Sequence, residues 1–199
     1  MYKKLPLILI FIFPTLLFGQ EPLPTYSAKE VLRSMPSDIV PLLTHNNLLD
    51  MLDFKEANQK AEVSNRLNGK SELTSLTKTS ASIRLTSKTR IDLHLLPKGK
   101  SDYLIYMITT TETSDSLTDS DVTVYDSSWK PAVEKHRLQS TRSSIFRSVV
   151  IDPESTQITI REQKFPLRFE GEDSDSPSSV QTEKHGQWDP VQAKFLFSD

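Results

Sequence analysis

The segment from Tyr103 to Ile108 constrains this chain more than any other. Tyr103, Ile105 and Met107 alternate with Leu104, Tyr106 and Ile108, so a strand here carries large apolar side chains on both faces. Such a strand belongs inside a sheet with cover above and below, because a face left in water forfeits the burial of its side chains. The fold must therefore supply two covering layers, and the helices read upstream can provide only one of them.

Those helices are legible from their caps. Ser27 and Glu30 have capping-box spacing, and Ala28, Val31, Leu32 and Met35 recur on one face until Pro36 ends the run. Thr44 is the N-cap of a second helix reaching to about Asn58, in which Leu48, Leu49, Met51, Leu52 and Phe54 occupy over half the circumference. From Ala61 the pattern alternates. Asn68-Gly69 reads as a two-residue type I′ hairpin turn, setting Val63 opposite Thr74 and Ala61 opposite Leu76. A three-residue loop of Ser87, Lys88 and Thr89 aligns Leu85 with Ile91 and Ile83 with Leu93. Further strands are predicted at Val122–Tyr125, Val149–Ile151, Gln157–Arg161, Phe165–Phe169 and Ala193–Phe197, the fourth placed at a sheet edge by Pro166. A four-residue loop containing Asp152-Pro153-Glu154 puts Ile151 opposite Ile158 and Val149 opposite Ile160. Thr110–Asp121 and Glu170–Thr182 lack the apolar area to offset the entropy of being fixed, and are expected to be flexible. The resulting fold class is α+β: two short N-terminal helices packed on an antiparallel β-meander, strongly curved or two-layered, forming one domain over residues 20–199.

Ahead of this domain, Lys3 and Lys4 precede an apolar run, Leu5 to Phe18, that ends at Gly19. Basic, apolar and small residues in that order predict a signal peptide over residues 1–19. The run falls short of the roughly 20 residues that span a bilayer, and Pro6 and Pro14 weaken a permanent helix. The mature chain is therefore expected in the periplasm or outside the cell, with no transmembrane segment. Among the 199 residues of the full chain there is no Cys, which excludes disulfides, thiolate nucleophiles, sulfur-ligated metals and a lipid anchor on cysteine. With 24 Lys+Arg against 26 Asp+Glu the net charge is -2, so no overall positive field is available for nucleic acid.

Motifs of catalysis are missing. Five glycines leave little material for a phosphate-binding loop, and neither a His-Glu-x-x-His pair nor a Gly-x-Ser-x-Gly elbow occurs. His45, His94, His136 and His185 are too far apart for a local zinc pair, so no metal and no cofactor are expected. His94 alternates with Leu93 and Leu95 and points from the opposite sheet face, where a surface or hydrogen-bonded role is expected. Asp115, Asp119 and Asp121 lack the Gly and terminal Glu of a calcium loop and read as a solvated loop; Glu170, Glu172, Asp173 and Asp175 read as a solubilising linker. Trp129 and Trp188 are the candidate binding residues. Each is bracketed by turn formers, where an indole can stack on a sugar, anchor a partner, or close one end of the core.

The segments Ser34–Phe54, Lys60–Thr74, Leu93–Pro97 and Ser128–Lys130 resemble an uncharacterised family of exported proteins from Bacteroides-type bacteria, a domain of unknown function. That resemblance implies a cell-envelope or secreted location and no assigned activity. Some members are labelled lipoproteins, from which this chain departs in having no Cys.

The reading that follows is an exported, non-catalytic protein that binds a protein or glycan of the cell envelope. Two alternatives stand beside it: a carbohydrate-binding module using Trp129 and Trp188, and a hydrolase whose site is assembled from distant residues.

Overall fold

The computed structural model describes residues 26–114, 117–132, 145–164 and 180–198. Ser27 caps α1 (Ala28–Arg33) by accepting from the Glu30 amide, and Thr44 caps α2 (His45–Glu56) in a reciprocal pair with Asn47. Both helices begin where the sequence places them. α2 buries one stripe, Leu48, Met51 and Leu52, and Asn58 at φ 53° turns the chain away after its end. Among the described residues no helix is long and apolar enough to cross a membrane.

Six antiparallel strands follow in chain order: β1 (Glu62–Ser64), β2 (Lys70–Leu76), β3 (Ser80–Arg84), β4 (Thr89–Lys98), β5 (Asp102–Ser114) and β6 (Leu117–Asp126). A second antiparallel sheet contains β7 (Ile145–Ile151), β8 (Gln157–Lys164), β9 (Val180–Asp189) and β10 (Lys194–Phe197), again side by side in chain order. The structure is thus α+β, dominated by two separate sheets and not closed into a barrel.

β5 explains why there are two sheets. Its Ile105 and Met107 join Val31, Leu32, Met51 and Leu52 in a core shared with the helices. Its Leu104, Tyr106 and Ile108 join Val149, Ile151, Ile158 and Ile160 in a second core shared with the other sheet. Each face of this strand has its own cover, as its two-sided apolar pattern requires.

The registers depart from the sequence reading in two hairpins and agree in a third. Val63 lies opposite Ser71, not Thr74. The loop is Arg66–Asn68, closed by Asn65 N donating to Gly69 O at 3.0 Å, and it is Asn68, at φ 58°, that adopts the left-handed conformation. This register turns Leu73 into the helix-side core, and a bulge between Leu73 and Ser75 then brings Leu76 opposite Ala81. In the next hairpin Ile83 lies opposite Ile91, not Leu93. The loop keeps three residues but comprises Thr86–Lys88, because Thr86 Oγ1 accepts from the amides of Lys88 and Thr89 at 3.1 and 3.0 Å. At the third, Ile151 faces Ile158 and Val149 faces Ile160 as expected.

Thr110–Asp121 is also corrected: its described residues extend β5 and β6 instead of forming a flexible loop. Polar pairing orders them. Thr110 and Ser120 share a buried hydroxyl hydrogen bond at 2.9 Å, while Ser120 Oγ accepts from the Val149 amide and Asp119 Oδ1 from the Arg147 amide, each at 3.2 Å. The segments 1–19, Phe165–Phe169 and Glu170–Ser179 lie outside the described residues, whereas Val180–Thr182 open β9.

Candidate functional site

Trp129 and Trp188 are both buried, and on opposite faces of the six-stranded sheet. Trp129 sits at φ 62° in the turn that follows β6, where Asp126 Oδ1 accepts from the amides of Ser128 and Lys130. Its indole, 7% exposed, packs on Tyr125 and donates Nε1–H to Ser34 Oγ at 3.3 Å, closing the helix-side core. Trp188 is 5% exposed, meets Tyr106 and Phe195 edge to face at 5.5 and 5.0 Å, and donates to Pro97 O at 2.8 Å. Two buried indoles in separate cores cannot form a stacking platform. Both close the core, and the role of binding anchor loses its basis.

His94 occupies the position of greater chemical interest. Along β4, Ile91, Leu93 and Leu95 enter the helix-side core, while Arg90, Asp92, His94 and Leu96 alternate with them on the face toward the second sheet. Leu96 belongs to the dry core under that sheet. On β3, directly opposite, stand Arg84, Ser82 and Ser80, paired with Arg90, Asp92 and His94 in turn. The face therefore passes from charge to hydrocarbon, with His94 at the changeover. β7 and Pro153 form the far wall of a cavity of about 180 Å³. Ser75, Thr77, Ser80 and Ser82 supply its hydroxyl wall; Ile108, Val149 and Ile151 supply an apolar one.

Inside it, Ser82 Oγ donates to Asp92 Oδ1 and Arg90 Nε donates to Asp92 Oδ2, both at 2.6 Å. The hydroxyls of Ser80 and Thr77 bond each other at 2.7 Å. His94 is only 7% exposed, and its imidazole makes no hydrogen bond to another described residue. Burial pushes its imidazole down to about 4, outweighing the opposite pull of Asp92 and Asp152. At neutral pH the ring is therefore uncharged and offers one donor and one acceptor. Asp152, across the cavity mouth, is held below its ordinary range by the amides of Ser155 and Glu154.

This geometry does not form a nucleophilic relay. Such a relay needs a carboxylate hydrogen-bonded to the imidazole, whereas among the described residues Asp92 bonds Ser82 and Arg90 and no carboxylate bonds the His94 ring. What it forms is a recess of fixed donors and acceptors. A second cavity of about 340 Å³, also lined by Arg90, continues past Thr86, Lys88, Thr110 and Glu112. Arg84 is ion-paired with Glu72, as Arg90 is with Asp92. Of the other candidates, His185 is exposed on β9 near Glu183, His45 opens α2 in solvent, and His136 and Asp115 lie outside the described residues. No three His, Asp or Glu side chains converge as a metal-binding group among the described residues. Sequence reasoning missed the cavity, although one signal was available: His94 shares its face with Leu96, so it interrupts a face that is otherwise turning apolar.

The architecture is that of a helix-covered antiparallel double sheet with a polar cavity at the margin between the sheets. The chain belongs to the family described as "Protein of unknown function (DUF3256)", whose match spans residues 23–163. The matched segment includes Arg90, Asp92 and His94, and stops short of Trp188. The chain is similar to a solved domain of an uncharacterized protein from Porphyromonas gingivalis W83, with a TM-score of 0.61 and 16% identity over 85% of this chain and 96% of that one. At that identity the likeness shows the fold alone. No curated protein matches.

Proposed function

We propose that this is an exported protein that acts by binding, not by turnover, and that its partner, a protein or glycan of the cell envelope, engages the cavity centred on His94. One observation carries the reading. A buried imidazole faces a hydroxyl-lined recess with no hydrogen-bond partner among the described residues, and buried polar groups are ordinarily satisfied by protein, water or a guest. Turnover is disfavoured because no described carboxylate is hydrogen-bonded to the imidazole, the nearest in sequence bonding Ser82 and Arg90 instead. Export rests on the order Lys3-Lys4, Leu5–Phe18, Gly19.

Two measurements test this. Intact mass of the protein recovered from the periplasm or medium should correspond to a chain beginning at Gln20 or Glu21; retention of Met1–Phe18 would remove the export reading. Immobilised protein should retain a defined component of envelope extracts, and His94→Phe, which fills the recess, should release it. Hydrolysis of a glycan, peptide or ester that disappears in His94→Gln while the fold persists would contradict the binding role.

A further inference from the structure

We infer that the His94 cavity receives one uncharged sugar ring of a glycan, with the adjoining cavity beyond Arg90 receiving its neighbour. This rests on the binding role proposed above and specifies its ligand. Size is the first argument. About 180 Å³ is room for roughly six water molecules, which suits a single ring and is below the range of drug-sized ligands. The second cavity, about 340 Å³ with Arg90 in common, gives a chain of such rings somewhere to continue.

The character of the walls is the second argument. Ser80 and Ser82 face a polar edge, while Ile108 and Val149 face an apolar one. A pyranose has this division in itself, with C–H groups on its faces and hydroxyls around its rim. Asp92 and Arg90 fix each other, so they present oriented acceptors and donors without needing to be ordered by the guest. Neutral His94 adds a donor and an acceptor, the pairing that a hydroxyl group answers.

Charge and edge chemistry exclude the competitors. In the His94 cavity the lining cation Arg90 is closed by Asp92, so a charged ring there would have to break that pair or enter unpaired. An extended peptide would seek the free edge of β7, but the Arg147 and Val149 amides there are taken by Asp119 and Ser120.

The test is saturation-transfer NMR on the purified protein with neutral methyl pyranosides and their disaccharides, beside a methyl glucuronide and an uncharged hexapeptide. At least one neutral glycoside should receive saturation. His94→Phe should weaken that binding about tenfold or more, and His94→Gln, which keeps a donor and an acceptor, should largely preserve it. Should His94→Phe fail to fold, Ser82→Val carries the same comparison. Transfer to no neutral glycoside, transfer indifferent to both substitutions, or preference for the glucuronide or the peptide would each overturn the inference. Retention of an envelope component that is lost in His94→Phe, together with no glycoside binding, would overturn the sugar ligand and leave the binding role standing; loss of both would overturn both.

Discussion

Single polar side chains organise the loops of this protein. The Asn65 amide makes four hydrogen bonds: Oδ1 accepts from the Leu67 and Gly69 amides at 3.1 and 3.0 Å, and Nδ2 donates to Ser71 Oγ and Leu85 O at 3.0 and 3.1 Å. The left-handed residue that this loop needs is Asn68 at φ 58°, and the turn after β6 repeats the scheme with Asp126 as organiser and Trp129 at φ 62°. Asn tolerates that conformation; Trp does not, and at Trp129 the strain is held by burial of the indole. Asn68→Val should therefore cost on the order of 1 to 3 kcal/mol, while Asn68→Gly should be neutral or slightly stabilising. Denaturant midpoints decide this, and an unchanged midpoint for Asn68→Val would contradict the assigned turn. Gly69 has another reason to be glycine: a Cβ there would come within 3.3 Å of the Asn65 side chain. The Asn-Gly pair made the hairpin legible, but which residue takes positive φ depends on Asn65, whose bonds reach β2 and the end of β3 and cannot be read locally.

At the scale of elements, what was legible followed apolar pattern and what was not followed neighbours. Both helices, the two-faced β5 and the Asp152 turn could be placed because caps, periodicity and Pro each have a local cause. The β2–β3 pairing could not, since turning both Leu73 and Leu76 toward the helix-side core requires the bulge between Leu73 and Ser75. β9 was missed for the opposite reason. From Gln181 to His185 it is polar on both faces, and only Gly186 and Trp188 are buried, so β8 and β10 define it and not its own sequence. Gly186 is where that definition is tightest, because a Cβ would lie 3.0 Å from Ile158 Cγ2 and from the Phe197 ring. Gly186→Ala should lower stability by about 1 to 3 kcal/mol through overpacking, read as a lower thermal midpoint. A midpoint equal to the parent's would show that β9 does not pass between those two side chains.

For the whole molecule, the six-stranded sheet is apolar toward the helices from β1 to β6, but apolar toward the second sheet only on β5, β6 and the end of β4. The second sheet covers that apolar part and leaves the Ser, Arg and Asp side chains of β3 and β4 beside an open cavity. His94 marks the boundary, and its titration reports whether the boundary exists. In the unfolded chain its imidazole takes a proton near pH 6.5, in the folded protein near 4. Between those values the unfolded state binds more protons, so stability present above about pH 6.5 is lost as the pH falls toward 4, by on the order of 3 kcal/mol. Carboxylates such as Asp126, Asp152 and Asp189, held below their ordinary range by hydrogen bonds to nearby hydroxyl and amide groups, add their losses at lower pH. A flatter profile in His94→Gln over the same window would identify the source.

The most direct measurement is the NMR titration of the His94 Cε1–H signal in the folded protein, assigned by its absence in His94→Gln. The expected midpoint is at about 4, set by burial between the sheets against the pull of Asp92 and Asp152. A midpoint near 6.5 would place the imidazole in water and contradict the buried polar recess on which the proposed function stands.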